Sequence, residues 1–379
     1  QGVLKRKSAT LGVYVLLAIA GIFMFRAVPP GFVPSQDKAY LIGFAQLPDA
    51  ASLDRTDAVI RKMSDVAKQI PGVESSVAFP GLSINGFTNS SNSGIVFVTL
   101  KRFDQRRSPQ LSGGAIAMDL NRQFAGIQDA FIAIFPPPPV QGLGTIGGFK
   151  LQIEDRGNFG ANELYKQLQA VIEKASKRPE LAGVFSGFQV NVPQIDVEVD
   201  REKAKAAGVS LQDVYDTMQM YLGALYVNDF NRFGRTYQVN AQAEPRFRLT
   251  GDDIGRLKTR NARGDMIPLA SFVTAHETSG PDRVPHYNGY LAAELNGAAA
   301  PGYSSGQAQT AIEEGLRDTL PNGMAYEWTD LTYQQILAGN TMVYIFPLGV
   351  LLVFLVLAAL YESISLPLVV ILIIPMCLL

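Results

Sequence analysis

A long uncharged segment near the C-terminus limits the folds that this chain can adopt. No charged residue occurs between Asp330 and Glu362. A helix of about 20 apolar residues crosses the hydrocarbon core of a bilayer. Core helices of soluble proteins are seldom apolar on every side over such a length. We therefore predict a transmembrane helix in residues 336–361, followed by a cytoplasmic turn and the start of another transmembrane helix in residues 362–379.

The N-terminus has a similar pattern. Three basic residues at positions 5–7 precede an uncharged run that ends at Phe25. A secretory signal peptide also has a basic start and an apolar middle, but a proline-rich segment follows here in place of a small-residue cleavage site. We prefer a transmembrane helix in residues 1–29. Basic residues favour the cytoplasmic side, so residues from about 29 to 330 are predicted to be translocated.

Composition excludes several classes of function. The chain has 379 residues and a net charge of −1, which gives no indication of a nucleic-acid partner. Its one cysteine, Cys377, lies in the last apolar run, so the exported part is expected to fold without a disulfide. His276 and His286 lack the spacing of zinc ligands, and no nucleophile–base pair or phosphate loop is evident. We expect no metal, no cofactor and no catalytic residues.

Hydrophobic periodicity predicts an α+β fold for the translocated part. Residues 39–47 alternate as in a strand, and apolar residues then recur at helical spacing up to Ile70. Strands are expected at 73–79 and 94–100, with a loop at 81–93 between them. A second helix and strands at 130–135 and 149–154 follow. Apart from one further strand, this is the β-α-β-β-α-β order of the ferredoxin-like pattern.

A second unit of the same kind is expected further along the chain. A strand, a capped helix, a proline and another strand occupy residues 47–73, and a similar series occupies residues 300–323. This internal echo indicates two related βαβ subdomains. The second is interrupted by an insert from about Asp196 to Pro281.

Two short motifs have ordinary structural explanations. Gly142, Gly144 and Gly147 fit the spacing of a dinucleotide-binding loop, but a proline run precedes them and a strand follows, so a linker is the better interpretation. Arg263-Gly264-Asp265 lies in a predicted exposed turn, where Gly264 supplies a positive φ.

Apolar side chains are unusually frequent around the loop at 81–93. Phe79, Leu82, Ile84 and Phe87 lie in or beside a stretch of glycine, serine and asparagine. Loops rarely carry so many apolar side chains without a partner. Both a binding surface and ordinary core packing remain open for this cluster, whereas Phe97 in the following strand is more typical of core.

Several segments resemble one transporter family. Residues 359–367 are similar to the signature turn of the resistance-nodulation-division (RND) transporters, hydrophobe/amphiphile efflux branch, and residues 226–235 are similar to that family's docking-region segment. Residues 46–48, 92–97, 300–302 and 326–329 also match. The resemblance covers essentially the whole chain and is strongest to the MexF- or OqxB-type multidrug pumps.

The resemblance implies a domain organisation. The chain would run from the seventh transmembrane helix to the start of the ninth, as a fragment of a longer protein. Residues 30–157 would form the first porter subdomain of this half, residues 158–195 and 282–335 the second, and residues 196–281 a funnel or docking subdomain. The family implies a homotrimer in the bacterial inner membrane. It also implies a periplasmic adaptor, an outer-membrane channel, a lipid membrane and small amphiphilic drugs as partners.

The resemblance also implies site residues in the periplasm. The family's switch loop corresponds to residues 81–93. Its drug-binding positions, distal and proximal, fall on Val77, Phe79, Leu82, Ile84, Phe87, Phe97, Phe44, Gln46, Phe149, Leu151 and Ile153. The hairpin tip near the channel partners falls on Arg260, Asn261, Ala262, Arg263, Gly264 and Asp265.

One departure from the family pattern concerns the entrance to the pocket. A polar and basic pair in some members corresponds here to Phe185 and Gly187, which implies a less polar entrance. Large flat apolar surfaces with few fixed hydrogen bonds suit a multidrug pocket. The methionines do not fall on the matched pocket positions, so organic substrates are expected rather than soft metal ions.

The apolar runs contain no ionisable group that could relay protons. In this family the proton-relay residues lie on helices outside this chain, and we expect the fragment alone not to transport. A membrane-anchored extracytoplasmic sensor and a structural subunit of an export complex are the alternative hypotheses. The turn from residue 362 into another apolar run favours the transporter over the sensor.

Overall fold

The computed structural model describes residues 7–27, 31, 33, 36–84, 86–144, 147–339 and 341–377. The basic residues Lys5 and Arg6 and the glycine-motif residues Thr145 and Ile146 lie outside this range. The chain divides into two compact units, one of which consists of Gln189–Arg283. The other contains the segments before and after it. The described residues combine helices and sheets as an α+β protein does. Helix α1, Lys7–Ala27, comes first.

The first sheet has four antiparallel strands with two helices on one face. Its strand order is β2-β3-β1-β4. Serine side chains cap both helices, since Ser52 Oγ accepts from the Arg55 amide and Ser112 Oγ from the Ala115 amide. The elements are β1 (Tyr40–Gln46), α2 (Leu53–Gln69), β2 (Val73–Leu82), β3 (Asn89–Leu100), α3 (Gly113–Phe124) and β4 (Phe131–Phe135).

The turn between β2 and β3 is shorter than expected. The sequence predicted a loop over residues 81–93, but β2 continues to Leu82 and β3 begins at Asn89. The Ser83 amide donates to the Thr88 carbonyl at 2.8 Å and closes the hairpin. Pairing of Asn89 with Leu82 and of Ser93 with Gln46 therefore overrides the low strand propensity of this polar segment.

A second sheet begins with β5 (Phe149–Asp155), helix α4 (Ala161–Ala175) and β6 (Leu181–Phe185). Strand β5 pairs with later strands and not with the first sheet. The expected bounds put residues 149–157 in the first subdomain, whereas the pairing assigns β5 to the second sheet. Sequence order alone cannot assign a strand to one of two adjacent sheets.

The unit Gln189–Arg283 is inserted after β6 and has its own core. Val214 and Leu269 are among its fully buried side chains. The β8–β9 hairpin turns at Phe233 and Gly234, both with positive φ, as a type I′ turn requires. The elements are β7 (Val192–Val199), α5 (Arg201–Ala206), α6 (Leu211–Met218), β8 (Leu225–Arg232), β9 (Arg235–Ala241), α7 (Gly251–Arg256), β10 (Lys258–Arg260), β11 (Met266–Pro268) and β12 (Val273–Gly280).

The second sheet is completed after the insert. Its elements are β13 (His286–Tyr287), β14 (Tyr290–Ala299), α8 (Ser305–Arg317) and β15 (Met324–Trp328). Strand β14 pairs with both β6 and β5, and β15 pairs with β5. If β5, β6, β14 and β15 are counted as strands one to four, their order is two-three-one-four, which is also the order of the first sheet.

The shared strand order matches different β-α-β units from those matched by the internal sequence similarity, which we called the echo. The echo matched β1-α2-β2 with β14-α8-β15. By strand order, β1-α2-β2 corresponds to β5-α4-β6 instead. The inserted unit then lies between strands two and three of the second sheet, at the position of the short β2–β3 turn in the first.

The chain ends in three helices: α9 (Asp330–Ala338), α10 (Thr341–Tyr361) and α11 (Ser365–Cys377). Within the described residues, one segment is long and apolar enough to cross a membrane, Tyr344–Tyr361 in α10. Helix α1 contains a shorter apolar stretch, Leu11–Gly21. The Tyr14 hydroxyl donates to the Leu372 carbonyl at 2.6 Å and connects α1 to α11.

Candidate functional site: an aromatic sheet face

The two faces of the first sheet have different environments. Leu41 and Ala45 of β1 belong to the core that α2 and α3 cover. Because side chains alternate along a strand, Ile42, Phe44 and Gln46 project from the opposite face. Directly paired residues share a face, which adds the neighbouring strands. This helix-free face carries Val77, Phe79, Ile95, Phe97, Phe131, Ala133 and Phe135.

One half of this face is open to solvent. Val77 lies opposite Phe97 in the β2–β3 ladder. The rings of Phe79 and Phe97 meet edge to face, with centroids 5.9 Å apart. Val77 is 51% exposed and Phe79 is 42% exposed. These three predicted site residues are therefore brought together as an accessible aromatic patch, which we call the open patch.

The other half is covered by a ring from the second sheet. The ring centroids of Phe185 in β6 and of Phe44 are 4.6 Å apart, and the Phe185 ring also contacts Phe131 and Phe135. Phe44 and Phe185 are both buried. We call Phe44, Phe131, Phe135 and Phe185 the phenylalanine cluster. At position 185 this chain departs from the polar and basic pair of some family members, and the structure places Phe185 between the two sheets.

Phe131 and Phe135 were not among the predicted site residues. Alternation in β4 puts Phe131, Ala133 and Phe135 on one face. Ala133 pairs directly with Phe44, so register would have assigned that face to the site. The sequence shows the alternation within β4, but it does not show that β4 pairs with β1.

The β2–β3 turn divides its apolar side chains between two environments. Ile84 packs against the phenylalanine cluster. Phe87 has a positive φ of 52° and is 52% exposed. Leu82 is half-buried at the end of β2. The predicted loop cluster is thus not one surface, because Ile84 covers the phenylalanine cluster while Phe87 faces solvent.

Gln46 lies beside the phenylalanine cluster but its amide is engaged within the protein. Its Oε1 accepts from Ser93 Oγ at 2.7 Å, and its Nε2 donates to the Asn92 carbonyl at 3.3 Å. Thr56 Oγ1 donates to the Ser91 carbonyl at 2.6 Å. These bonds attach the start of β3 to β1 and α2. Gln46 therefore positions the strand that leads out of the turn.

Phe149, Leu151 and Ile153 lie in the core of the second sheet. Leu151 pairs directly with Trp328, whose indole donates to Glu313 on α8 at 2.9 Å. The three side chains consequently face the helices, and Leu151 and Ile153 are fully buried. The structure does not bring them together with the open patch or the phenylalanine cluster.

The opposite face of the second sheet is polar and internally paired. Lys150 lies 3.0 Å from Glu294, and Arg156 bridges Glu154 and Glu327. Burial lowers the pKa of Lys150, but attraction and a hydrogen bond to Glu294 outweigh it, so the pKa lies above its usual value. A cavity of about 10 Å³ beside Phe149 and Lys150 has room for a single water.

The predicted docking tip is the β10–β11 hairpin of the inserted unit. Arg260, Ala262, Arg263, Gly264 and Asp265 are exposed. Asn261 is buried and its Oδ1 accepts from the Arg263 and Asp265 amides at 3.0 and 2.8 Å. Asn261 therefore shapes the tip, and the exposed residues around it present the surface. In the described residues no group of three or more histidine, cysteine or acidic side chains could hold a metal ion.

Comparisons with known proteins identify the family of this chain. The model of the AcrB/AcrD/AcrF family matches residues 1–379. The chain belongs to this family, which confirms the resemblance to RND transporters.

Individual relatives have names that describe efflux. The chain is 36% identical over 378 residues to the multidrug/solvent efflux pump membrane transporter MepB of Pseudomonas putida, covering 99% of this chain and 35% of MepB. It is 35% identical over 367 residues to the multidrug export protein AcrF of Escherichia coli (strain K12), covering 96% of this chain and 35% of AcrF. The chain thus spans about a third of the length of the curated relatives that it matches.

Proposed function

We propose that this chain is a segment of a proton-driven multidrug efflux pump of the bacterial inner membrane. The observation that carries the proposal is the open patch, an exposed aromatic surface next to a closed aromatic contact between two sheets. Exposed contiguous apolar surface on a soluble domain marks a binding site. Aromatic rings bind flat apolar ligands without demanding a fixed set of hydrogen bonds.

We assign the two sheets to two ferredoxin-like porter subdomains. Their shared strand order, with helices on one face, supports this assignment. The pairing of β5 moves the start of the second subdomain to about residue 149. Residues 189–283 are then the docking subdomain, which the exposed β10–β11 tip would join to an outer-membrane channel and an adaptor.

Helix α10 is proposed to span the inner membrane, with α1 and α11 beside it. The apolar length of Tyr344–Tyr361 supports a span, and the Tyr14–Leu372 hydrogen bond supports a common bundle. The two sheets and the inserted unit would then lie in the periplasm. Proton coupling and homotrimer formation are properties of the whole pump that we extend to this protein from its family.

Drug would bind first against the open patch, through Val77, Phe79 and Phe97. Separation of the sheets at Phe44 and Phe185 would extend the surface to the phenylalanine cluster, as a shear or hinge motion of packed elements allows. We do not include Phe149, Leu151 and Ile153 in this surface, because their burial under the helices suits a packing role.

Drug susceptibility of a pump-deficient bacterium that expresses the pump tests the proposal. Phe79→Ala and Phe97→Ala should each lower the minimum inhibitory concentration of some amphiphilic drugs at least fourfold and leave others unchanged. Met118→Ala is the matched control, since Met118 is exposed on α3, which covers the other face of the sheet. Equal susceptibility of all three variants at equal expression would contradict the binding role and favour a structural subunit.

A further inference from the structure

The loop after β3 lies at the end of the first sheet where the chain arrives from α1. Strand β1 begins at Tyr40, which pairs with Thr99 near the end of β3. The Leu100 amide donates to the Ala39 carbonyl at 2.8 Å. Residues 101–107 therefore emerge beside the start of β1.

The chain departs for α10 from this same end. Strand β15 ends beside the start of β5, where the Thr329 amide donates to the Lys150 carbonyl at 3.1 Å. Asp330, the first residue of α9, lines a cavity together with Pro138. Lys38 Nζ donates to the Pro138 carbonyl at 2.9 Å. Two separate connections to apolar helices thus meet at one end of the sheets, and this end faces the membrane if α10 spans it.

The loop at this end is basic and carries one exposed aromatic ring. Residues 101–107 read Lys-Arg-Phe-Asp-Gln-Arg-Arg, with four cations and one carboxylate. Phe103 is 59% exposed. Aromatic rings flanked by cations are typical of side chains at a membrane surface, where the ring enters the headgroup region and the cations meet phosphate.

The loop is held in place by its one buried cation. The Arg106 side chain is 1% exposed and lies 2.9 Å from Asp37, and it also donates to the Lys101 and Leu111 carbonyls. The Phe103 ring packs against the Arg106 guanidinium at 5.0 Å. The contact with Arg106 therefore holds the Phe103 ring in a fixed position, and the side of the ring away from Arg106 is exposed.

The other three cations point to a partner outside the fold. Lys101, Arg102 and Arg107 are exposed. Arg102 lies 3.4 Å from the exposed carboxylate of Asp104. Within the part of the chain that the structure describes, no carboxylate pairs with Lys101 or Arg107. Glu74, at the start of β2, and Asp330, at the start of α9, are further carboxylates at this end, and among the described residues neither forms an ion pair with these cations.

We propose that residues 101–107 bind anionic phospholipid headgroups at the surface of the bilayer, with Phe103 inserted between the headgroups. This inference rests on the proposed membrane span of α10. Its consequence is that lipid charge, and not only the transmembrane helices, fixes the height of the first sheet above the membrane.

Fluorescence quenching by brominated acyl chains tests this inference in the reconstituted protein. The added indole of Phe103→Trp should be quenched at least twofold more in vesicles of phosphatidylglycerol and phosphatidylcholine than in phosphatidylcholine alone. Raising the salt concentration should reduce the difference. Gln128→Trp, exposed at the opposite end of the first sheet, is the reference and should show no difference.

Charge removal completes the test. Lys101→Gln, Arg102→Gln and Arg107→Gln together should lower the quenching of Phe103→Trp to its value in phosphatidylcholine. The control combines Arg55→Gln, Arg122→Gln and Lys166→Gln, three exposed cations at the far end of the sheets, and should leave quenching unchanged.

A third indole separates this inference from the proposed function. Phe354→Trp in α10 should be quenched in both lipids. Quenching of Phe354→Trp without quenching of Phe103→Trp would overturn the lipid contact alone. Absence of quenching at Phe354→Trp would overturn the membrane span itself.

Discussion

The ring of Phe44 lies 4.6 Å from the ring of Phe185, and this contact joins the helix-free face of the first sheet to the edge of the second. Both side chains are buried although each belongs to a different sheet. The contact therefore closes the same apolar face that is open on the neighbouring strands at Phe79 and Phe97. In the proposed mechanism, its strength governs how readily the two sheets separate.

Truncation of Phe185 should weaken this contact. Phe185→Ala removes a buried ring and leaves space between the sheets, so we expect a loss of about 3 kcal/mol in the free energy of unfolding, at the low end for buried phenylalanine. Thermal denaturation of the purified protein measures it. Phe131→Ala, at a half-exposed ring of the same cluster, should cost less than about 1 kcal/mol. Equal losses for the two variants would contradict a contact centred on Phe185.

Gln46 should act through β3 and not through direct drug contact. Gln46→Ala removes the acceptor for Ser93 and the donor to Asn92, so the amides of residues 89–93 should exchange with solvent about tenfold faster. Hydrogen-exchange mass spectrometry of peptides from this segment measures the change. Phe79→Ala should leave exchange there unaltered, and faster exchange in both variants would speak against a specific role for Gln46.

The Asp37–Arg106 pair should make stability depend on pH. Burial raises the pKa of Asp37, but hydrogen bonds from Arg106, Ala39 and Gly113 lower it by a larger amount. The pKa therefore lies below its usual value. The carboxylate is thus more strongly favoured in the folded state. Its stabilisation is present above the unfolded-state pKa of about 4 and is lost as pH falls through the lower folded-state pKa.

Asp37→Asn tests this pair. It leaves the buried Arg106 guanidinium without its carboxylate, and we expect a cost of about 2 to 3 kcal/mol at pH 7, below the range for fully buried pairs because Asp37 is partly exposed. Chemical denaturation at pH 7 and at about pH 3 should show the deficit shrinking in acid. Asp104→Asn, in an exposed pair, is the control with an expected change under about 0.5 kcal/mol. A deficit that does not vary with pH would refute the linkage.

The tip of the β10–β11 hairpin should depend on a residue that does not reach its surface. Asn261→Ala leaves the Arg263 and Asp265 amides without their acceptor and should cost about 1 to 2 kcal/mol locally. Faster amide exchange confined to residues 262–266 is the expected signature. Arg263→Ala removes an exposed cation and should leave this exchange unchanged. Rigid tip amides in Asn261→Ala would show that the backbone alone holds the turn.

The sequence predicted the order of elements well but not the pairing of strands. Alternation defined β1, and the series of strand, capped helix, proline and strand in residues 47–73 and 300–323 indicated α2 and α8. Sequence order groups β5 with the first sheet, since β5 follows β4. Its partners β14 and β15 lie more than a hundred residues further on, and no local pattern identifies them.

The predicted site residues of β1 and β5 lie in different environments, and this difference also depends on strand pairing. In β5 the apolar residues alternate with Lys150, Gln152 and Glu154, a pattern that by itself favours packing against helices for Phe149, Leu151 and Ile153. In β1 both faces are apolar, so alternation could not show that Leu41 faces the helices and Phe44 does not. The position of Phe44 depends on its contact with Phe185, which lies 141 positions away in the sequence.

The two sheets share one strand order, yet the connection between strands two and three is a short turn in one and a whole compact unit in the other. This junction is a permissive insertion point of the repeat, because the strands that flank it are held by their own ladders and place no demand on the length between them. The β2–β3 turn can therefore vary in length between related pumps without disturbing the sheet. Changes in the length of this turn can alter the edge of the aromatic face while the strands of the sheet stay unchanged.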